Sequence, residues 1–191
     1  MDRPPSKKGL SLVAVRDYVL EKAGREAWTS VLDALPGQDA DTIRAAVDVA
    51  WYPLNLHARL LRAVDTKLGD GDLSTIPPIA RFDAERDVPT VHHLLLQLGN
   101  PADLAEKMAE LWPRDHTTGR LRIERKDDQA IDVTLVDWAA DEVLCLEFQS
   151  YFQRALELAG ARDVRFVQST CRARGAAECF FTVTWGIGVS R

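Results

Sequence analysis

Three cysteines carry most of the chemical potential of this sequence, and all of them lie in its last third: Cys145, Cys171 and Cys179. Cys171 and Cys179 stand symmetrically about Gly175, so a hairpin turning there brings their side chains together. Cys145 falls in the first turn of a helix that Asp141 is placed to cap, where the positive end of the helix lowers the pKa of a thiol. Thiolates are soft ligands that suit zinc. Two plainer readings compete: buried cysteine behaves as a small hydrophobe, and a Cys171–Cys179 disulfide is conceivable but disfavoured in a reducing compartment. On these residues alone the metal is the minority reading. The histidines His57, His92, His93 and His116 are the other candidate donors; His92 and His93 sit on an apolar helical stretch and read as core or surface histidines. Asp70-Gly71-Asp72 lacks the ligand spacing of a calcium loop, and Glu106 and Glu110 look like a solvated helix face. No nucleophile elbow, P-loop or Gly-x-Gly-x-x-Gly run is present.

The elements that position these residues follow from periodicity. At 191 residues, with 46% hydrophobic and 28% charged side chains, the chain suits one globular domain. Its net charge of −5 argues against nucleic acid as a partner. No run approaches the roughly 20 apolar residues that span a bilayer, no secretory signal opens the chain, and the chain reads as cytoplasmic, its odd cysteine count arguing against a disulfide framework. Residues 1–8 read as a mobile tail and 9–191 as a single domain. Helical spacing of Leu12, Val15 and Val19 leads to a helix closed by Gly24. A second helix carries Trp28, Val31 and Leu32 and ends at Pro36-Gly37. Asp41 is placed to cap a third, with Ile43, Ala46, Val47 and Ala50 on one face, and Pro53 opens a fourth that runs down to Gly69. Asp70–Asp87, with Pro77-Pro78 and mixed charge, reads as a long ordered loop. Helix returns at about 89–98, and Asn100-Pro101 starts another that stops at Pro113. The period then changes to two: Leu121 and Ile123, then Ile131, Val133 and Leu135, form a hairpin turning at 126–129. A long helix from Asp141 to Gly160 follows, then strands at 164–171 and 179–185. The class is α+β, a helical N-terminal half followed by a ββ-α-ββ unit with a small antiparallel sheet.

The run Cys171-Arg-Ala-Arg-Gly175-Ala-Ala-Glu-Cys179-Phe-Phe-Thr-Val-Thr-Trp185 resembles the C-terminal signature of vinyl-reductase-type domains. The helix–glycine–strand step over 155–164 resembles the step those domains place before it. The likeness covers about 104–185. The helical half, with Gly9, Gly24 and Trp28, is weakly similar to the helical lobes of haem–nitric-oxide-binding domains of the same superfamily and to related myxobacterial proteins. That superfamily serves nitric-oxide signalling and Golgi transport. In its phenol-sensing activators a zinc is held by three cysteines and a glutamate, so the resemblance implies zinc at Cys145, Cys171 and Cys179. Gln168 stands where the glutamate is expected, which puts the fourth ligand in doubt. A haem-bearing relative needs an axial histidine and a Tyr-x-Ser-x-Arg clamp. The nearest run, Thr117-Thr118-Gly119-Arg120, lacks the tyrosine and the serine, so haem is not expected.

The resemblance implies a non-enzymatic regulatory or signalling domain that binds a small apolar ligand, a protein partner, or both. Because the chain ends at Arg191 without an output module, an adaptor or sensor acting through a partner is expected. The alternative is a cytoplasmic carrier of apolar ligands or an accessory to tetrapyrrole metabolism. Trp51-Tyr52, Trp138 and the Phe180 face of the last strand are candidate contact surfaces for a homodimer or heteromer burying more than about 1,000 Å².

Overall fold

Apolar residues at three- and four-residue spacing become helices through the first half of the chain, and the change to a period of two marks where the sheet begins. The computed structural model describes residues 4–91 and 100–187. In chain order the elements are β1 (Ser6–Lys8), α1 (Leu10–Lys22), α2 (Gly24–Asp33), α3 (Gly37–Arg44), β2 (Trp51–Pro53), α4 (Leu54–Leu68), α5 (Ile76–Val91), α6 (Pro101–Asp115), β3 (Arg120–Asp127), β4 (Ala130–Val136), α7 (Glu142–Leu158), β5 (Ala161–Thr170) and β6 (Cys179–Ile187). The α+β class is as the sequence implies. A four-stranded antiparallel sheet runs β3-β4-β6-β5, and β1 pairs with β2 in a second, two-stranded one. No described helix is long and apolar enough to cross a membrane.

Helix α7 lies on one face of the larger sheet. Asp141 caps it by accepting from the Val143 N–H at 2.9 Å, and Gly160, at φ +99°, turns the chain into β5. Its Phe148 meets Phe181 and its Phe152 meets Phe166 of the sheet with ring centroids 5.7 and 5.8 Å apart. Such aromatic packing adds to the burial of large apolar area.

Of residues 70–87, only 70–75 form a turn; the rest is helix. Ile76 opens α5, and Pro77 and Pro78 occupy its first turn, where a missing N–H costs nothing. The signal was Ile76, Ile79, Ala80, Ala84 and Val88, all buried at helical spacing. The turn before α5 is set by Asp65, a buried carboxylate that accepts from Leu73 N (2.8 Å), Thr75 N (3.3 Å) and Thr75 Oγ1 (2.7 Å). Helix α5 then packs along α7, tied by the paired contacts of Arg81 with Glu157 (3.2 and 2.8 Å).

Residues 6–8, read from the sequence as part of a mobile tail, form β1. Lys7 pairs with Tyr52 and bridges to His116, while Thr117 N donates to Ser6 O at 3.0 Å, so this strand is held on both sides. Gly9 permits the close approach that follows, because a Cβ there would meet Val47 O at 2.1 Å. Three smaller differences stand. Helix α3 begins at Gly37, ahead of Asp41, and ends at Arg44, leaving Val47 exposed. Helix α6 carries Pro113 and continues to Asp115. Trp138, read as a contact surface, is 3% exposed and belongs to the core, whereas Trp51, Tyr52 and Phe180 are half-buried. The helix expected at 89–98, with His92 and His93, falls largely outside the described residues.

Candidate ligand cavity and thiol cluster

Where β1, α5, α6 and α7 converge, the core opens into a cavity of about 100 Å³. Its apolar wall includes Met108, Leu111 and Trp112 of α6, Leu121 of β3, Trp138, and Leu144 and Phe148 of α7. Residue His116, directly after α6, stacks on Trp112 with ring centroids 3.8 Å apart and planes 7° from parallel. Its Nδ1 is buried and has no hydrogen-bond partner. Burial, reinforced by the Lys7 charge, pulls this imidazole down to about 3, so it is neutral at ordinary pH. A neutral, unpartnered imidazole nitrogen beside an apolar space is a donor for a metal or a hydrogen-bonding ligand.

A polar network forms the opposite wall. Glu147 of α7 contacts His57 Nε2 at 2.6 Å and accepts from Lys7 Nζ at 3.3 Å. Burial pushes the Glu147 carboxyl up, but the His57 and Lys7 charges outweigh it and hold the group down at about 2. Tyr151 donates to Asp87 Oδ2 at 2.6 Å. Asp83, one turn earlier on α5, is pushed up to about 7 by burial, with Asp87 and Glu147 adding to the rise and Lys7 and Arg86 opposing it. No sequence pattern pointed to this network, because its members come from β1, α4, α5 and α7.

The three cysteines do come together. Their sulfur atoms all lie within 4.8 Å of one another, and Cys145 Sγ and Cys171 Sγ are 3.7 Å apart. All three are buried and free. Gly175, at φ +91°, makes the turn that the symmetric spacing required. Hydrogen bonding from the Cys145 thiol, against burial and with help from the Arg172 N–H at 3.3 Å, holds Cys179 down at about 6, while the same contact and burial push Cys145 up. Gln168 does not join them. A register shift between Gln168 and Thr170 bulges the strand there, and the Gln168 side-chain oxygen accepts from Arg174 at 3.2 Å.

No protein-family profile matches the chain, and no curated protein does. Solved structures share its fold. An H-NOX protein from S. oneidensis in its Fe(II)NO state superposes with a TM-score of 0.73 at 14% identity, over 94% of this chain and 99% of that one. The unliganded Fe(II) H-NOX protein from K. algicida gives 0.73 at 13% identity, over 96% and 99%. A third structure, from work on haem distortion in the H-NOX family, gives 0.63 at 14% identity, over 96% and 97%. At such identities the shared property is the fold alone.

These likenesses correct the cofactor expectation. Haem was set aside for want of a Tyr-x-Ser-x-Arg clamp, yet the structures that share this fold are those of iron- and haem-bearing proteins, so the missing motif does not exclude the group. Counted from His116, the run His116-Thr117-Thr118-Gly119-Arg120 keeps a hydroxyl and a guanidinium at the clamp's spacing, with imidazole in place of phenol. Arg120 is turned outward to Asp137 at 2.8 Å. Zinc finds no support among these structures.

Proposed function

We propose that this protein is a small-ligand sensor domain and that the cavity between α6 and α7 is its ligand seat. One observation carries the reading: an apolar space of about 100 Å³ bordered by a neutral imidazole whose Nδ1 has no partner. Buried polar atoms without partners are few in folded proteins and need a reason. A ligand that uses the imidazole supplies one.

Haem is the group carried by proteins of this fold, and part of the site suits it. Trp112, Trp138 and Phe148 give aromatic walls, and His116 gives an imidazole donor. The present volume is that of a ligand of a few heavy atoms, so a macrocycle requires the walls to part. Bound there, haem supplies an iron that takes a diatomic gas. The chain's own residues supply the aromatic walls and hold the imidazole neutral.

Hemin and benzene are the two probes. Saturable, stoichiometric binding of at least one of them is expected, read from the fluorescence of the Trp112 and Trp138 indoles. The Met108→Trp variant, which fills the seat, is expected to abolish it. A Soret band lost on a single alanine substitution at His92, His93 or His116 identifies haem as the bound group. Binding of neither probe overturns the reading.

The domain is read as non-catalytic, passing its signal to a protein partner, and its hairpin cysteines support a place near the vinyl-reductase-type branch. A homodimer or heteromeric contact burying more than about 1,000 Å² is expected. Light scattering across a concentration series checks it, and a strictly monomeric protein at high concentration that keeps an apolar ligand through purification favours a carrier instead.

A further inference from the structure

The cavity walls are unevenly charged. Asp83, Asp87, Asp115 and Glu147 border it against Lys7 and Lys8. Both ammonium groups are engaged elsewhere: Lys8 Nζ donates to Val49 O at 2.7 Å and lies 4.5 Å over the Trp51 ring, and Lys7 is held by Glu147 at 3.3 Å. Asp87 receives the Tyr151 hydroxyl. Asp83 is different. It is 6% exposed, it lines the cavity, and it makes no hydrogen bond or ion pair among the described residues. A carboxyl buried in this way is costly until a cation or donor meets it. The wall beside it is aromatic, a surface that attracts cations as well as apolar bodies.

We propose that the cavity takes a small organic cation, a protonated amine on an apolar body, with the ammonium against Asp83 and the body against Trp112 and Phe148. This rests on the reading of the cavity as the ligand seat and names the chemistry of its ligand. The groups that face Asp83 are Lys7 of β1, Arg86 and Asp87 of α5 itself, and Glu147 and Tyr151 of α7. Lys7 is already paired, and Arg86 is bound to Asp17 at 2.8 Å, so a ligand cation is the charge that the site lacks. Its volume limits the body to a few carbon atoms.

Isobutylamine, isobutanol and isobutyrate share one carbon skeleton and differ in charge, so calorimetric titration of the whole protein with the three separates charge from shape. Isobutylamine is expected to bind at least about tenfold more tightly than isobutanol, with isobutyrate the weakest. Isobutylamine affinity is expected to rise from about pH 5 to about pH 7 as Asp83 ionises, while that of isobutanol stays level. In the isosteric Asp83→Asn variant the amine should fall to the level of the alcohol. If the alcohol binds as tightly as the amine, or the variant keeps the ratio, the ligand-seat reading stands and the cation inference is overturned. If none of the three binds, the cation inference falls, while the ligand-seat reading is decided by hemin and benzene.

Discussion

Replacing Glu147 by leucine is expected to destabilise the protein by about 3–5 kcal/mol, the cost of stripping one partner from a buried ionic group. Its carboxylate sits 2.6 Å from His57 Nε2 and 3.3 Å from Lys7 Nζ, with side-chain exposures of 8%, 2% and 17%. Leucine fills similar space but leaves the Lys7 ammonium and the His57 imidazole facing an apolar wall. Because Lys7 belongs to β1, the loss should also loosen the strand that ties the N-terminal segment to β2 and to His116. Removing Lys7 and Glu147 together, as Lys7→Met with Glu147→Leu, should recover part of the loss, since the Lys7 ammonium is then no longer left buried without its carboxylate. Urea denaturation of the single and double variants measures this, and a single variant within about 0.5 kcal/mol of the natural protein would show that water reaches the site. The pH dependence has a definite sign. The folded-state pKa lies below the ordinary 4.5, at about 2, so the contribution is complete above 4.5 and is lost as pH falls from 4.5 through 2. That window corresponds to about 3 kcal/mol.

The local signals that were legible share a physical character: each residue acts on its own neighbours in the chain. Asp141 caps α7, Asn100 accepts from Ala102 N at 2.9 Å to start α6, and Gly175 turns the β5–β6 hairpin. The approach of Cys171 to Cys179 was legible for the same reason, since a hairpin symmetric about Gly175 aligns them; that Cys145 joins them depends on how α7 packs on the sheet. What stayed hidden depends on distant partners. The three residues of β1 are too few to show a period, and β2 lies about 45 residues further along. In α5, Pro77 and Pro78 looked like breakers, although prolines in a first turn are compatible with a helix; the buried series from Ile76 to Val88 was the better guide. The cavity was invisible because several elements line it. His116 could have been singled out by counting the clamp from the imidazole. Asp83 lies in the stretch taken for a loop, so nothing marked it for burial.

Asp83 and His116 should make the stability of this protein unusually level at mildly acid pH, and substituting either should reveal the slope that the other hides. The two groups are shifted by similar amounts in opposite senses. Asp83 rises from 3.8 to about 7 in the folded protein, so folding takes up a proton between those values and stability falls as pH rises through them. His116 drops from 6.5 to about 3, so the unfolded chain holds the extra proton and stability rises with pH over that range. Each effect amounts to about 4–5 kcal/mol over its whole window, and the windows overlap from 3.8 to 6.5. In the natural protein the slopes cancel there. Below about 4.5 the loss of the Glu147 interaction joins the charging of His116, and stability should fall steeply. In Asp83→Asn the cancellation ends. Its stability should climb steadily from about pH 4 to about pH 6.5 and exceed that of the natural protein at about pH 8, where the natural protein carries the full cost of a buried carboxylate. His116→Phe should tilt the other way, declining from about pH 4 to about pH 7. Urea midpoints of the three proteins across this range decide the matter. Parallel curves for the natural protein and Asp83→Asn would show that Asp83 is solvated or paired at no cost. The cost itself bears on function: a carboxyl buried in the cavity wall at a cost of several kcal/mol gains from any cation that reaches it, so the group that lowers resting stability is the one best placed to reward a ligand.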